Sequence, residues 1–352
     1  MNLDDVERMA RIDPQGMLAK IEALPDQLEH AWRLGRELPL PDVRELRHVV
    51  FCGMGGSAIG ADLAVAYAGP QAKAGLHIWR GYDLPAWVRG PDTLVVASSH
   101  SGNTEETLSA FDAAASAGAR LVAITTGGDL ARKARQAGVP LWTFEHPGPP
   151  RAAVGYSCGL VLSLLARIGF LADVEEDLLD AVAAMRSQQA QFAPVVPAAH
   201  NPSKRMGGQL MERWPVFFGA GLTAPVARRW RTQLNELAKA GGTVEELPEA
   251  DHNVVAGVEQ PAVLAQRLII VCLRAPMDDP RLLARLDATR HVFMVEGFNT
   301  DALDGVGPNR LAQQWTLLHY GDYVAYYLAM AYGVDPTPIE AIEGLKDYLR
   351  KA

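Results

Sequence analysis

The feature that most constrains the fold is an apolar run that ends in glycines and continues into an alanine-rich segment. It begins at His48 and reads HVVFCGMGGSAIGADLAVAY, which is typical of a buried strand, a tight turn and a helix. Further apolar runs at Thr93–Ala97 and Arg120–Ile124 lie on either side of a polar loop and a helical segment, Glu105–Ala117. Strands that are apolar throughout and alternate with helices form a parallel sheet covered on both faces. We therefore predict an α/β fold built on such a sheet.

The same pattern returns in the second half of the chain. WPVFFGAG leads into a predicted helix at Pro225–Lys239, and RLIIVCLRA and HVFMVEGF are predicted strands after it. The predicted strands begin 45 and 27 residues apart in the first half and 53 and 23 apart in the second, at Val49, Leu94, Leu121, Val216, Ile269 and Val292. Such similar spacing favours a duplicated α/β domain over the alternative of one continuous sheet.

Helical segments flank and connect the two predicted domains. Asp4–Ala10 and Met17–Leu38 have apolar residues at helical spacing, and GVDPTP separates two predicted helices near the end of the chain. Thr337 begins a T-P-I-E sequence that predicts a helix start with proline at the first position. The predicted regions are N-terminal helices 1–40, a first domain 41–171, a helical connector 172–199, a second domain 200–307 and C-terminal helices 308–352.

Charge and cysteine usage restrict the partners and the compartment. The 352 residues include 33 basic and 41 acidic ones, and the net charge of −8 disfavours nucleic acid and anionic membrane surfaces as partners. Cys52, Cys158 and Cys272 form no CxxC motif, which predicts reduced thiols, no zinc site and a cytoplasmic location. The acidic start of the chain is unlike a signal peptide, and no run of 18 apolar residues could span a bilayer.

A hydroxyl-rich loop, SSHSGNTEET, follows the predicted strand Thr93–Ala97. The hydroxyls of Ser99, Ser101 and Thr104 surround a glycine at the point where a helix is predicted to begin. With the N–H groups of the first helical turn they would form a donor-rich cup for a phosphate monoester. The alternative is that Thr104 is only a helix cap, but a cap needs a single hydroxyl. The loop lacks the GK[ST] lysine that binds a nucleoside triphosphate.

The glycine-rich turn Gly53–Gly60 also lies between a predicted strand and a helix. Its glycines let an anionic ligand approach the N–H groups at the helix start, and they equally allow close packing of the helix on the strand. The pattern nearly matches a dinucleotide fingerprint, which needs an acidic residue after the next strand. That strand, Leu76–Trp79, is followed by Arg80. An arginine suits a 2′-phosphate, so an NADP enzyme remains a weak alternative.

Together the two loops resemble those of the sugar isomerase (SIS) domain. Segments further along are similar to the bifunctional phosphoglucose/phosphomannose isomerase family: PRAAVG from Pro150, QLNELAK from Gln233, LPEADHN from Leu247, GDYVAYYLA from Gly321, and DPTP from Asp335 with Leu345 and Lys346. They follow the order of that family from about residue 47 to residue 350. The resemblance implies two SIS domains, each a parallel sheet flanked by helices, in a homodimer.

The resemblance also implies which residues bind the substrate. Gly56 and Ser57 would be substrate-binding residues, with Ser57 in contact with the sugar, and the phosphate would be bound by Ser99, Ser101 and Thr104. His100 departs from the S-Y-S-G-N-T form of the family, in which a tyrosine stands at this position. A His100 ring that faces outward would leave phosphate binding intact, and we expect that orientation.

Four further residues take catalytic roles by the same resemblance. Arg151 would stabilise the enediolate, and Glu236 would be the base. His252 and Lys346 would serve ring opening, with His252 entering the active site of the neighbouring subunit. An aldose–ketose isomerisation needs these residue types, because it moves a proton between C1 and C2 past a developing oxyanion.

Two functions of different classes remain open. One is an isomerase that interconverts glucose 6-phosphate and mannose 6-phosphate with fructose 6-phosphate through a cis-enediol, without a metal or a cofactor. The other is a catalytically silent SIS protein that binds a sugar phosphate as a regulator. The four catalytic candidates favour the enzyme, since a binder needs only the hydroxyl cup, and no helix-turn-helix or basic stretch serves a DNA contact. A metal-dependent mannose-phosphate isomerase is disfavoured because the nine histidines form no HxH or HExxH motif.

Overall fold

The computed structural model describes residues 2–351, which form two parallel sheets with helices around each, so the predicted α/β class is confirmed. The strands are β1 His48–Cys52, β2 Gly75–Trp79, β3 Thr93–Ser98, β4 Arg120–Thr125, β5 Leu141–Thr143, β6 Trp214–Ala220, β7 Thr243–Leu247, β8 Leu268–Arg274 and β9 Asn299–Asp304. The α-helices are α1 Val6–Ile12, α2 Met17–Glu22, α3 Leu24–Glu37, α4 Gly55–Ala68, α5 Glu105–Ser116, α6 Gly128–Gln136, α7 Val154–Arg167, α8 Glu175–Phe192, α9 Pro202–Gln209, α10 Ala224–Gln233, α11 Leu264–Arg267, α12 Pro280–Val295, α13 Arg310–Tyr332 and α14 Glu340–Leu349.

Contacts within the chain divide it into two compact units. The first-sheet unit comprises Ala23–Met185 and Val306–Trp315. The second-sheet unit comprises the chain up to Glu22, Arg186–Gly305 and the chain from Thr316 onward. The boundaries of these two units differ from the predicted domain limits. The predicted limits therefore stay a prediction.

The first-sheet unit is built on five parallel strands in the order β2-β1-β3-β4-β5. Its two central strands β1 and β3 are apolar because helices cover both of their faces. One helical layer contains α7, which packs against α3 and α4 and is buried over most of its length. The other face packs against α5 through Ala110, Phe111 and Ala114.

The second-sheet unit has four parallel strands in the order β7-β6-β8-β9. Its core joins the sheet to α12 through Phe218, Ile270, Cys272, Leu286 and Phe293. The first four strands of the other sheet have the corresponding order, β2-β1-β3-β4. The shared order supports the predicted duplication, and the alternative of a single continuous sheet is wrong.

One predicted strand in the second half is wrong. The apolar segment HVFMVEGF, with Val292 as its predicted first residue, lies mainly in α12, and the strand beside β8 is Asn299–Asp304. In α12 the buried residues Leu286, Thr289 and Phe293 follow one another at helical spacing, whereas Val292 and Val295 are exposed. The segment is apolar because α12 exposes several apolar side chains to solvent, and this composition led to the wrong prediction of a buried strand.

The helix that carries Lys346 begins later than predicted. Its first residue is Glu340, after Ile339 in a non-helical conformation, so Thr337 is not its cap. The N–H of Thr337 donates to the carboxylate of Asp335 at 2.8 Å, which forms a local turn in place of the first helical turn.

Candidate active site

The predicted phosphate loop follows β3 and ends at the start of α5. The Ser99 hydroxyl lies 2.8 Å from the Thr104 hydroxyl and accepts a hydrogen bond from the N–H of Gly102 at 3.1 Å. Thr104 is the first residue before α5, but its side chain makes no capping hydrogen bond. The cap alternative therefore does not account for Thr104, whose hydroxyl is directed toward Ser99. Ser101 is exposed on the same loop and accepts from the N–H of Asn103 at 3.2 Å.

Gly102 fixes the shape of this loop. Its φ is +70°, and a Cβ atom there would lie 1.9 Å from the carbonyl oxygen of Gly127. No other residue type fits this position without displacing the backbone after β4. The loop is thus held against the next strand of the sheet, and its hydroxyls are presented at the carboxyl edge, where ligands bind in open α/β sheets.

The glycine turn after β1 meets the phosphate loop through Ser57. This side chain is buried, and its hydroxyl accepts a hydrogen bond from the N–H of His100 at 3.1 Å. Gly56 lies beside the segment before α7, since a Cβ atom there would be 2.5 Å from the carbonyl oxygen of Pro150. Glycine is required at position 56 because the backbone at Pro150 passes close to it. This close approach brings Arg151 to the start of α4.

Arg151 lies in a short helical turn, Pro150–Ala152, directly before α7. Arg151 is 3% exposed, and the carbonyl of the next residue accepts a hydrogen bond from Gln27 Nε2 at 2.9 Å. A buried guanidinium costs free energy in an apolar site unless an anion or several acceptors compensate its charge. The first-sheet unit thus brings Gly56, Ser57, Ser99, Thr104 and Arg151 to one edge of its sheet.

The His100 ring is not turned outward, and that expectation is wrong. Its Nε2 lies 3.1 Å from Nδ1 of His146, and its ring packs edge-on against Phe144. Burial, together with the neighbouring His146, lowers the pKa of His100 to about 4. The ring therefore stays neutral at physiological pH and acts as a hydrogen-bonding link between the phosphate loop and the segment that precedes Arg151.

Glu236 lies in the second-sheet unit, in a π-helical turn, Leu234–Ala238, that continues α10. Such turns are rare and recur at functional sites. The turn ends at Lys239, whose φ of 54° is left-handed and whose ammonium donates to the carbonyl oxygen of Glu236 at 2.9 Å. The same ammonium donates to the carbonyl oxygen of Asp335 at 2.8 Å, which ties the Glu236 turn to the segment before α14.

A buried ion pair fixes the helix that carries this turn. Arg229 on α10 donates from Nε and Nη2 to the two carboxylate oxygens of Asp322 on α13, at 3.1 and 2.7 Å. Burial raises the pKa of Asp322, and the adjacent guanidinium opposes the increase. Gly321 allows α13 to approach closely, since a Cβ atom there would overlap the Trp230 indole. The G-D-Y segment thus supports Glu236 by packing.

The remaining two catalytic candidates are exposed within this chain. His252 is the last residue of a 3₁₀ turn, Glu249–His252, and Lys346 lies on α14. The residues described in α14 are all exposed, including the apolar Ile342, Leu345 and Leu349. Neither His252 nor Lys346 is therefore preorganised by burial in the single chain.

Sequence reasoning missed His146, Lys239 and the Arg229–Asp322 pair as supporting residues. His146 is separated from His100 by 46 residues, and Lys239 is separated from Asp335 by 96. Lys239 ends the helix after Glu236 in a left-handed conformation, and a recognisable helix end there would have been a local signal. Glycine or asparagine usually occupies such a position, so the lysine did not indicate it.

Residues 2–351 contain neither a metal-binding cluster nor a membrane-spanning helix. Within that range no group of three or more His, Cys, Asp or Glu side chains is arranged to hold a metal ion. The same range contains no helix that is both long and apolar enough to cross a membrane.

Comparison with known proteins gives a consistent set of relatives. Residues 199–349 match the bacterial phospho-glucose isomerase C-terminal SIS domain. A bifunctional phosphoglucose/phosphomannose isomerase of Caldicellulosiruptor bescii is 35% identical over 337 residues, which cover 95% of this chain and 98% of the relative. A second protein of that name, from Aquifex aeolicus, is 32% identical over 88% of this chain and 92% of its own length.

A solved structure supports the fold independently. The glucose-6-phosphate isomerase like protein of Thermus thermophilus superposes with a TM-score of 0.64, at 22% identity, and the match covers 96% of this chain and 98% of that one. At this level of identity the likeness establishes the architecture alone.

Proposed function

Because the chain belongs to the bifunctional phosphoglucose/phosphomannose isomerase family, we propose that it interconverts glucose 6-phosphate and mannose 6-phosphate with fructose 6-phosphate. The observation that carries the proposal is similarity along nearly the whole chain to isomerases of that name. The two aldoses differ in configuration at C2, and both lead to the same cis-enediol, so one set of groups can serve both substrates.

The phosphate of the substrate would be held by the loop after β3. Ser99 and Thr104 lie within hydrogen-bonding distance of each other, and Ser101 adds a third hydroxyl on the exposed side. Hydroxyl and N–H donors at a helix start suit a dianion, and the binding energy of this remote group supports the reaction at C1 and C2. Gly56 and Ser57 would contact the sugar.

Glu236 would move the reacting proton. Its carboxylate would take the proton from C2 of the aldose, the electron pair of the C–H bond would form the C1–C2 double bond, and the aldehyde oxygen would become the enediolate oxygen. Return of the proton to C1 and transfer of the O2 hydroxyl proton to O1 give the ketose. The Arg151 guanidinium would stabilise the negative oxygen in the transition state.

His252 and Lys346 would serve ring opening, which must precede the proton transfer because the pyranose has no carbonyl group. A donor protonates the ring oxygen while a base takes the proton of the O1 hydroxyl. The exposure of His252 in the single chain supports a homodimer in which this side chain acts in the neighbouring active site.

The reaction would take place in the cytoplasm, with no metal and no cofactor. The three cysteines are free and buried, which is compatible with a reducing compartment. The Cys52 thiol has its pKa raised to about 12 by burial, so it is not a reactive thiolate.

A turnover assay tests the proposed function directly. The purified protein is dialysed against EDTA, and formation of fructose 6-phosphate from each aldose phosphate is followed by phosphorus NMR. We expect both substrates to be converted to the same equilibrium mixture. Binding of both sugars without conversion would support the silent regulator instead, and activity that disappears with EDTA and returns with a divalent cation would overturn the metal-free mechanism.

A further inference from the structure

The turn that ends at His252 is attached to α12 through the residue before it. The Asp251 carboxylate accepts a hydrogen bond from the Thr289 hydroxyl at 2.6 Å and from Arg285 Nη1 at 2.8 Å. Arg285 and Thr289 are four residues apart and therefore lie on one face of the helix. Each carboxylate oxygen has its own donor, so the Asp251 side chain has a defined orientation.

Thr289 and Asp251 are the more buried members of this attachment, whereas the Arg285 side chain is 34% exposed. Thr289 is 3% exposed, and the Asp251 side chain is 18% exposed. Ala250, the preceding residue, is buried in the core that joins the second sheet to α12. The backbone on the N-terminal side of His252 is thus held at two successive residues.

On the other side of His252 the chain is fixed by a local hydrogen bond. The Asn253 side chain donates to the Glu249 carboxylate at 3.1 Å, which closes the turn on itself. His252 itself is exposed, although both of its neighbours have defined hydrogen bonds. The turn therefore presents one imidazole to the exterior from a backbone that is anchored to α12.

We propose that Thr289 and Arg285 are positioning residues that act through Asp251 to set the location of the His252 imidazole for ring opening. The inference rests on the catalytic role of His252 in the proposed function. A side chain that protonates a ring oxygen must be held within a fraction of an ångström of its target, and misplacement by about 1 Å can cost on the order of a hundredfold in rate.

Removal of the Thr289 hydroxyl tests this role, because Thr289→Val keeps the shape of the side chain. We expect kcat for glucose 6-phosphate to fall about tenfold, with KM within about twofold of the wild type, since the phosphate is bound elsewhere. Thr289→Ser retains the hydroxyl and should restore kcat. Arg281→Gln is the matched control, because Arg281 lies four residues before Arg285 on α12 and lines the same surface cavity of about 330 Å³ without bonding Asp251.

A double substitution separates positioning from a general effect on the fold. In a His252→Ala background there is no imidazole to position, so Thr289→Val should have no further effect on kcat. If the two losses multiply instead, Thr289 acts on stability or on another group and the inference is wrong. Asp251→Asn provides the same comparison if Thr289→Val does not fold.

The outcomes distinguish this inference from the proposed function. If His252→Ala retains full activity, His252 has no role in ring opening and the inference fails with it, while conversion of both sugars would still establish the isomerase. If His252→Ala loses activity but Thr289→Val and Asp251→Asn do not, only the positioning role is overturned.

Discussion

His100 Nε2 lies 3.1 Å from His146 Nδ1, and this contact joins two segments that are 46 residues apart. One segment is the phosphate loop, where the His100 N–H also donates to Ser57 and the His100 carbonyl accepts from Thr126 Oγ1 at 2.7 Å. The other leads from β5 to the turn that holds Arg151. The pair therefore couples the shape of the phosphate loop to the segment that carries the proposed enediolate stabiliser.

Loss of the His100 ring should weaken substrate binding. We expect His100→Ala to raise KM for glucose 6-phosphate several-fold, because the loop loses its link to His146 and its hydroxyls become less preorganised. His100→Tyr, which restores the residue expected from the family resemblance, should return KM to within about twofold of the wild type. Steady-state kinetics decide this, with exposed His200→Ala as the control. An unchanged KM in His100→Ala would show that the pair does not support the loop.

Ser99 and Thr104 should determine affinity more than proton transfer. The double variant Ser99→Ala, Thr104→Val is expected to raise KM by about tenfold to a hundredfold, since each hydroxyl would donate to a charged phosphate oxygen. Some loss of kcat should accompany it, because remote phosphate binding supports the transition state. Ser116→Ala is the control, since its hydroxyl only bonds the backbone of α5. A KM that does not change would place the phosphate elsewhere.

The central strands of each sheet were predictable because strands buried on both faces consist mainly of apolar residues. β3 and most of β1 are buried on both faces and consist mainly of apolar residues. β9 reads NTDALD and β7 reads TVEEL, and as edge strands they remain partly solvated and polar. The apolar segment near Val292 was therefore predicted to be a strand although it forms a helix, and the edge strands β7 and β9 were missed because they are not continuously apolar.

The hydroxyl cluster in the loop after β3 was predictable for a related reason, since Ser99 and Thr104 are five residues apart and interact within one loop. The orientation of His100 was not, because its ring partner comes from another segment. The support of Glu236 through Lys239 likewise depends on Asp335, which only the folded chain brings near. Functional groups that lie close together in the sequence can be predicted from it, whereas the contacts that orient them come from distant segments and depend on the tertiary structure.

Glu236 should be the group that exchanges the C2 proton. Glu236→Gln keeps the size of the side chain but cannot accept a proton, and we expect kcat to fall by about 10²–10⁴-fold while the substrate still binds. The measurement is solvent-deuterium exchange at C2 of the aldose, with calorimetric binding as the control for an intact site. Exchange at the wild-type rate in Glu236→Gln would exclude Glu236 as the base.

Buried His319 should make the protein less stable in mild acid. Its Nε2 donates to the carbonyl oxygen of Ile21 at 3.2 Å, and complete burial lowers its pKa from 6.5 to about 4. The unfolded chain therefore binds a proton below pH 6.5 that the folded chain does not bind until about pH 4, so stability is present above that range and is lost as the pH falls through it. The expected loss from this residue between pH 7 and pH 5 is about 2 kcal/mol.

Urea unfolding of His319→Gln at the two pH values measures this loss. The difference in the free energy of unfolding between pH 7 and pH 5 should become smaller by about 2 kcal/mol in the variant, whatever the substitution does to stability at neutral pH. A pH dependence identical to that of the wild type would mean that His319 titrates normally in the fold.

Shared active sites predict that two strongly impaired variants restore one another's activity. If His252 acts with Glu236 of the other subunit of a C2 homodimer, a heterodimer of His252→Ala with Glu236→Gln contains one site with both residues intact. After joint unfolding and refolding, half of the dimers are mixed and each has one of two sites, so about a quarter of the wild-type activity should return. Wild-type protein refolded in the same way corrects for incomplete refolding, and the small residual activity of each variant refolded alone is subtracted. With both residues acting in one subunit, every site in the mixture lacks one of them, and the absence of any recovered activity would contradict the shared arrangement.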